Sequence, residues 1–169
     1  MAITEQTFTS GVDDGDQLET TNFNVSHAVG QNAANWWTDI MLVQYFIRNI
    51  YQVNGRDGAV NIWQMTEVSR EGLTDLPDPH TDYKALAKTA KWIKNFQIDA
   101  ILMNSFSLHA DGRVDPGVGG GLLSTGDLYT IYVMNQTYQN SLANIGIDDW
   151  YGWAMGDPGL PQSVKAQLY

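Results

Sequence analysis

The side chains able to do acid–base, nucleophilic or metal chemistry in this sequence are few, and their spacing is informative. There is no cysteine, which excludes disulfide frameworks, thiolate zinc sites and every Cys-His enzyme. A zinc peptidase needs three or four His, Asp or Glu ligands around an open water position. His27, His80 and His109 lie near Asp78, Asp82 and Asp111 in sequence. They form no close helical pair, and each falls in an expected turn, where surface or capping use is the ordinary role. A glycosidase needs a protonated carboxylic acid opposite a second carboxylate. Only Glu5, Glu19, Glu67 and Glu71 are glutamates, and of these Glu67 and Glu71 alone would share a helical face. The run Gly117 to Gly121 lacks the Lys-Ser/Thr ending of a phosphate-binding loop. Asp13-Asp14-Gly15-Asp16 and Asp111 to Asp115 lack the ligand alternation of a calcium loop. The expectation is a protein with no catalytic residues, no metal and no cofactor.

Aromatic residues are the richer signal. The six tryptophans stand as Trp36 and Trp37, Trp63 and Trp92, and Trp150 and Trp153. Aromatic faces pack cores, stack on sugars and anchor interfaces. Trp150, Tyr151 and Trp153 fall outside the main helical pattern and are candidate interface anchors.

The elements that must position these groups read as mainly α. Ile40, Val43, Ile47 and Ile50 recur at three- and four-residue steps, so a helix is expected from about Trp36 to Tyr51, capped by Asn35. Asp39 places negative charge in its first turn. Breakers dominate Gln52 to Pro79, including Asn54-Gly55, Asp57-Gly58 and Gly72, around a segment Ala59 to Val68 that reads as a strand or a helical turn. A second helix is expected from Asp82 to Phe96, with Thr81 as cap. Tyr83, Leu86, Ala90, Ile93 and Phe96 or Gln97 form its inner face, and Lys84, Lys88, Lys91 and Lys94 a solvated ridge. Residues Ile98 to His109 read as a short strand or turn. A third helix is expected from Thr125 to Ser141, with Ser124 and Asp127 resembling a capping box.

Composition sets the outer limits. The chain has 169 residues, 43 % hydrophobic and 17 % charged, which suits one packed domain. A formal net charge of −10 opposes binding to nucleic acid, since neutralising phosphates needs clustered Lys and Arg. No apolar stretch approaches the roughly 20 residues needed to span a bilayer. The start lacks a basic region followed by an apolar run, so synthesis in the cytoplasm without a signal peptide is expected. The expected organisation is an extended acidic arm over 1–24, a helical domain over 25–143 and an irregular, aromatic-rich C-terminal extension over 144–169.

Three landmarks carry a resemblance. Val29-Gly30-Gln31-Asn32-Ala33-Ala34-Asn35 precedes a helix with Asp39-Ile40, Leu42-Val43-Gln44 and Asn49; Ala90 to Gln97 closes on Phe96-Gln97; and Asp111-Gly112-Arg113-Val114-Asp115-Pro116-Gly117 precedes a helix with Leu128 and Asn135. In this order they resemble a bacterial peptidoglycan-binding domain, over about Val25 to Asn135. The stretch Asp75 to Thr81 departs from the family, having no glycine where the family carries a glycine-containing turn. The resemblance implies a three-helix bundle and a non-catalytic module that binds peptidoglycan in a groove between the second helix and the Asp111–Gly117 turn. The residues it points to are Asp111, Arg113, Asp115, Tyr83 and Trp92. Variants of the motif set also imply attachment to a phage-tail-like or secretion and injection machine. Such a chain would bind wall, or serve as a structural subunit that keeps the scaffold; a small lytic enzyme is a third possibility.

Overall fold

The computed structural model describes residues 6–9, 19–55, 62–117 and 126–168, and for 6–9 and 19–21 the backbone alone. The Asp13–Asp16 stretch, Asp57-Gly58, Gly119–Gly121 and Ser124 lie outside the described residues. In chain order the elements are β1 (Gln6–Thr9), β2 (Glu19–Asn22), β3 (Val29–Gly30), α1 (Trp37–Asn54), α2 (Glu67–Glu71), a 3-10 turn (Gly72–Asp75), α3 (Leu86–Met103), β4 (Arg113–Val114), α4 (Thr130–Ala143), α5 (Trp150–Gly156) and α6 (Gln162–Lys165). The protein is mainly helical, with two small antiparallel ladders, β1–β2 and β3–β4.

The three expected helices are present, with shifted ends. Helix α1 packs against both α3 and α4. Its apolar face is so wide that every residue from Thr38 to Ile47 is buried, which requires partners on more than one side. Asn35 does not cap α1. Its side chain instead bonds the Gly30 N–H and carbonyl at 2.8 and 3.0 Å, and Trp36 occupies the cap position with no side-chain bond. Helix α3 begins four residues after the expected Asp82, because Asp82 is engaged in a turn. Its carboxylate accepts from Asp78 N at 3.0 Å and Lys88 Nζ at 2.9 Å, and its carbonyl from Ala85 N at 2.8 Å. Thr81 therefore caps nothing. At the other end α3 absorbs Ile98 to Met103, where the sequence suggested a strand or turn, and buried Asp99 anchors that extra turn to Thr66 N and Oγ1 and to Tyr51 Oη. Thr66 in turn caps α2, so the end of the ambiguous Ala59–Val68 segment is helical, while 59–61 lie outside the described residues.

Residues 22–25 and the segment beyond 144 pack into the core that the helices form, so the boundaries expected at 24 and 144 fall within packed structure. Phe23 is fully buried, 5.1 Å from the Trp150 ring and 5.5 Å from that of Tyr151. The Phe23 N–H donates to Asn135 Oδ1 at 2.8 Å and its carbonyl accepts from Asn135 Nδ2 at 2.7 Å. Asn24 makes the same two-way bond with the backbone of Gly117, at 2.9 Å each way. The boundary at residue 24 thus falls inside packed structure. Beyond 144 the chain is helical in part, with Ala154, Leu160, Val164 and Leu168 buried in the shared cluster. Phe23→Ala should cost about 3–5 kcal/mol, the usual range for emptying a buried phenylalanine site. Urea unfolding measures it, and a loss below about 1 kcal/mol would make the segment an independent arm after all.

Candidate functional site

Two loops far apart in sequence meet at a short ladder that fixes the candidate site. Val29 pairs with Val114 and Gly30 with Arg113, and Gln31 N donates to Gly112 O at 3.0 Å. The approach demands glycine at position 30: a Cβ there would lie 2.1 Å from the Gly112 carbonyl oxygen, and its φ is +112°. The first and third landmarks of the sequence are therefore two halves of one structure.

Gln97 holds this structure from beneath. It is buried on α3, and its Nε2 lies 3.0 Å from Asp111 Oδ1, 2.8 Å from Arg113 O and 3.0 Å from Thr130 Oγ1. Its Oε1 accepts from Gly112 N at 2.8 Å. One amide thereby ties α3, the Asp111–Gly117 turn and the start of α4 together. Asp111 Oδ1 also accepts the Arg113 N–H at 2.9 Å, closing the turn on itself.

Above Gln97 lies a small, open cleft of about 40 Å³. It is lined by Asp111, Arg113, Asp115 and His109 on one side and by Leu128, Tyr129 and Thr130 on the other. The Arg113 guanidinium donates from Nε to Asp115 Oδ1 at 2.7 Å and from Nη1 to Asn32 O at 3.3 Å. His109 Nε2 lies 2.8 Å from Asp127 Oδ2, while Ser107 Oγ donates to Asp127 Oδ1 at 2.5 Å. Three aspartates therefore stand in or beside the cleft: Asp115 is paired with Arg113, Asp127 with His109 and Ser107, and Asp111 with Gln97 and its own turn. A ligand bringing hydrogen-bond donors or positive charge suits such a set better than an anion does.

Of the five residues expected at a ligand groove, Asp111, Arg113 and Asp115 meet here, and two do not. Trp92 is fully buried, its ring 5.1 Å from that of Tyr51 and its Nε1 donating to Asp75 O at 2.8 Å. It sits on the α3 face turned toward α1, so it has no surface to offer a ligand. Tyr83 precedes α3, half-buried against the core, with Lys84 Nζ 5.5 Å from its ring centre. The proposed anchors Trp150 and Tyr151 pack on Phe23, and only Trp153 keeps a large open surface, 47 % exposed. Sequence reasoning missed the cleft residues His109, Tyr129 and Thr130. The available signal was Gln97 itself, a polar residue at the end of an apolar stripe.

The basic ridge divides in the same way. Lys88 is held by Asp82 at 2.9 Å and Asp75 at 3.0 Å. The hydrogen bond from Lys88 keeps the Asp82 carboxyl below its usual range, and the same bond raises the Lys88 ammonium. Lys84, Lys91 and Lys94 remain exposed.

Two serine–histidine–aspartate groupings lack the geometry of a nucleophilic relay. In such a relay the acid holds one imidazole nitrogen and the serine meets the other. Asp127 instead stands between Ser107 and His109. Ser26 Oγ lies 2.8 Å from His27 Nδ1 and donates to Asp39 Oδ2 at 2.9 Å, with that same carboxylate oxygen 3.6 Å from the same nitrogen. Asp39, expected to answer a helix dipole, is fully buried and also accepts from the Ser26 and His27 backbone N–H groups at 3.0 Å each. Glu67 and Glu71 are exposed on α2, apart from the cleft. Among the described residues, no three His, Asp or Glu side chains converge as a metal site would require, and no helix is long and apolar enough to cross a membrane. No protein-family model, curated protein or solved structure matches the chain.

Proposed function

We propose that the protein is a non-catalytic module of the peptidoglycan-binding kind, which takes its cell-wall ligand in the cleft beside the Asp111–Gly117 turn. The observation that carries this reading is the meeting of Asp111, Arg113 and Asp115 at one cleft mouth, on a turn locked by Gln97. The ordinary work of a turn explains Asp111 Oδ1, but among the described residues the second carboxylate oxygen of Asp115 meets no donor. A wall ligand offers hydroxyl, amide and ammonium donors for such positions. Attachment to a phage-tail-like or injection particle is part of the proposal and would bring the module to the wall.

Sedimentation with purified sacculi tests the reading. The full chain should co-sediment at low salt, and Arg113→Ala combined with Asp115→Asn should lower the retained fraction about tenfold, the effect of losing one or two charge-assisted hydrogen bonds. A wild-type chain left in the supernatant, beside a retained control, would sink the proposal.

A second reading, a structural or adaptor subunit that keeps the scaffold without holding wall, is favoured by the β1–β2 ribbon. Its two strands pair only with each other among the described residues, a ribbon of the kind that can take a further strand from a neighbouring subunit. A concentration-independent monomer in sedimentation velocity would count against that role.

A further inference from the structure

Two large rings stand exposed beside the cleft and take no part in it. Trp36 is 40 % and Trp37 46 % exposed, whereas Trp63 and Trp92 are buried. We propose that Trp36, together with the amide-bearing turn Gln31–Asn35, is a stacking platform for an uncharged pyranose ring. The site is distinct from the cleft; only its assignment to a wall glycan, rather than another neutral oligosaccharide, rests on the reading above.

The ring is held in place before any ligand arrives. Trp36 lies against the His27 imidazole at 4.7 Å between centroids and 23° between planes. His27 is fixed in turn, its Nδ1 by Ser26 Oγ and its backbone N–H by buried Asp39. A ring already ordered loses little conformational freedom when a ligand stacks on it. The adjoining turn is equally fixed. Asn32 and Asn35 adopt left-handed backbone angles, φ +53° and +55°, and the Asn35 side chain bonds Gly30 N, Gly30 O and Ala33 O. Gln31 and Asn32 are exposed there and carry amides suited to sugar hydroxyl and acetamido groups.

Charge selects the ligand class. From Ala28 to Thr38 no side chain is charged, in a molecule whose net charge is −10. Arg113 reaches the turn at Asn32 but is paired with Asp115, so the patch offers an ionic ligand no charge from its own residues, whereas a pyranose presents axial C–H groups to the indole and hydroxyls to the amides. The platform also adjoins the cleft: the Asn32 carbonyl accepts from Arg113, and only four residues separate Asn32 from Trp36, at most about 14 Å of chain. One oligosaccharide can lie across both.

Calorimetric titration of the full chain with chitotriose tests the platform. Saturable binding is expected for the wild type, with affinity about tenfold lower in Trp36→Ala and nearly retained in Trp36→Phe. Matching thermal melts would show that the half-exposed ring can be removed without unfolding. No saturable heat in the wild type, or unchanged affinity in Trp36→Ala, overturns the proposal. So does a Trp36→Ala variant whose only change is in self-association, which would assign the ring to a protein interface. The sacculus assay separates the two ideas. Retention lost in the Arg113/Asp115 variant but kept in Trp36→Ala leaves wall binding standing without the platform. Chitotriose binding through Trp36 with no retention on sacculi leaves the platform standing without wall binding.

Discussion

Between pH 10 and 12 the protein should lose stability at about 4 kcal/mol per pH unit, about 8 kcal/mol across the range. Three buried phenols are responsible. Burial pushes the Tyr45, Tyr51 and Tyr138 hydroxyls well above their ordinary value, and neighbouring groups add to it: the Tyr138 ring and Asp157 for Tyr45, and Asp99 for Tyr51. Tyr45 Oη lies 2.7 Å from Tyr138 Oη and donates to Asp157 Oδ2 at 2.9 Å, while Tyr51 Oη donates to Asp99 Oδ2 at 2.6 Å. The sign follows from proton counting. Above about pH 10 the unfolded chain releases these protons and the folded chain keeps them. Each retained proton then costs the native state about 1.4 kcal/mol per pH unit, so the contribution is full below pH 10 and falls as pH rises. Lys88, also raised, acts in the same direction at the alkaline end. A loss of that size falls within the typical total of about 5–15 kcal/mol, so resistance to denaturant should drop sharply over the range. Urea midpoints across this range, followed with tyrosinate absorbance, measure the slope. The absorbance of these three of the eight tyrosines should appear only with unfolding. Tyr51→Phe should reduce the slope by about one third. Phenols titrating freely in the folded protein at pH 10 would contradict the network.

The second large effect is expected from a single amide. Gln97→Leu keeps the volume but leaves Gly112 N, Arg113 O and Thr130 Oγ1 without their shared partner. At about 1–3 kcal/mol for each buried polar group so stranded, part of it recovered by relaxation or water, a loss of about 3–5 kcal/mol is expected. Because the same amide holds the Asp111–Gly117 turn, sacculus retention should fall with it even under conditions where the variant stays folded. Gln97→Glu separates the two bonding functions. It keeps an acceptor for Gly112 N but sets a carboxylate against Asp111 Oδ1 and the Arg113 carbonyl, so its stability should improve on acidification from pH 7 to 5. Over that range the contribution of the depressed Asp82 carboxyl stays constant. Denaturation midpoints at pH 5 and 7 read this directly. A Gln97→Leu variant within 1 kcal/mol of wild type would show that the turn holds itself.

Local pattern made the helical frame legible. The steps of Ile40, Val43, Ile47 and Ile50, and of Ile93, Phe96 and Gln97, report one buried face whatever lies across from it, so α1 and α3 can be recognised before any partner is known. Leu86, expected on the inner face, is exposed. The Asp111–Gly117 turn is likewise coded by adjacent residues: an aspartate accepting the amide two positions on and a glycine at φ +73°. Candidate site residues taken from that turn meet at the cleft, because a short turn carries its side chains together.

What pattern could not carry is anything decided by residues far apart. Helix α3 starts late because Asp82 answers Lys88 and the backbone at Asp78, not because its sequence opposes helix. Asp39, Trp92 and Trp150 have types that fit an exposed end, a ligand face or an interface equally well; burial against Ser26, Tyr51 and Phe23 settled each. Phe23 and Asn135 stand 112 positions apart, yet their two hydrogen bonds bring the N-terminal segment into the core. Periodicity reports which face of an element is buried, whereas the partner of that face follows from the packing of the whole chain. The sequence by itself determined the three long helices and the tight turn, since both are made by neighbouring residues, whereas α5 and α6 lie in a stretch that reads as irregular. Tertiary structure alone decided that residues 22–25 and the segment beyond 144 join one core, that Gln97 governs the cleft and that Trp36 is left facing water.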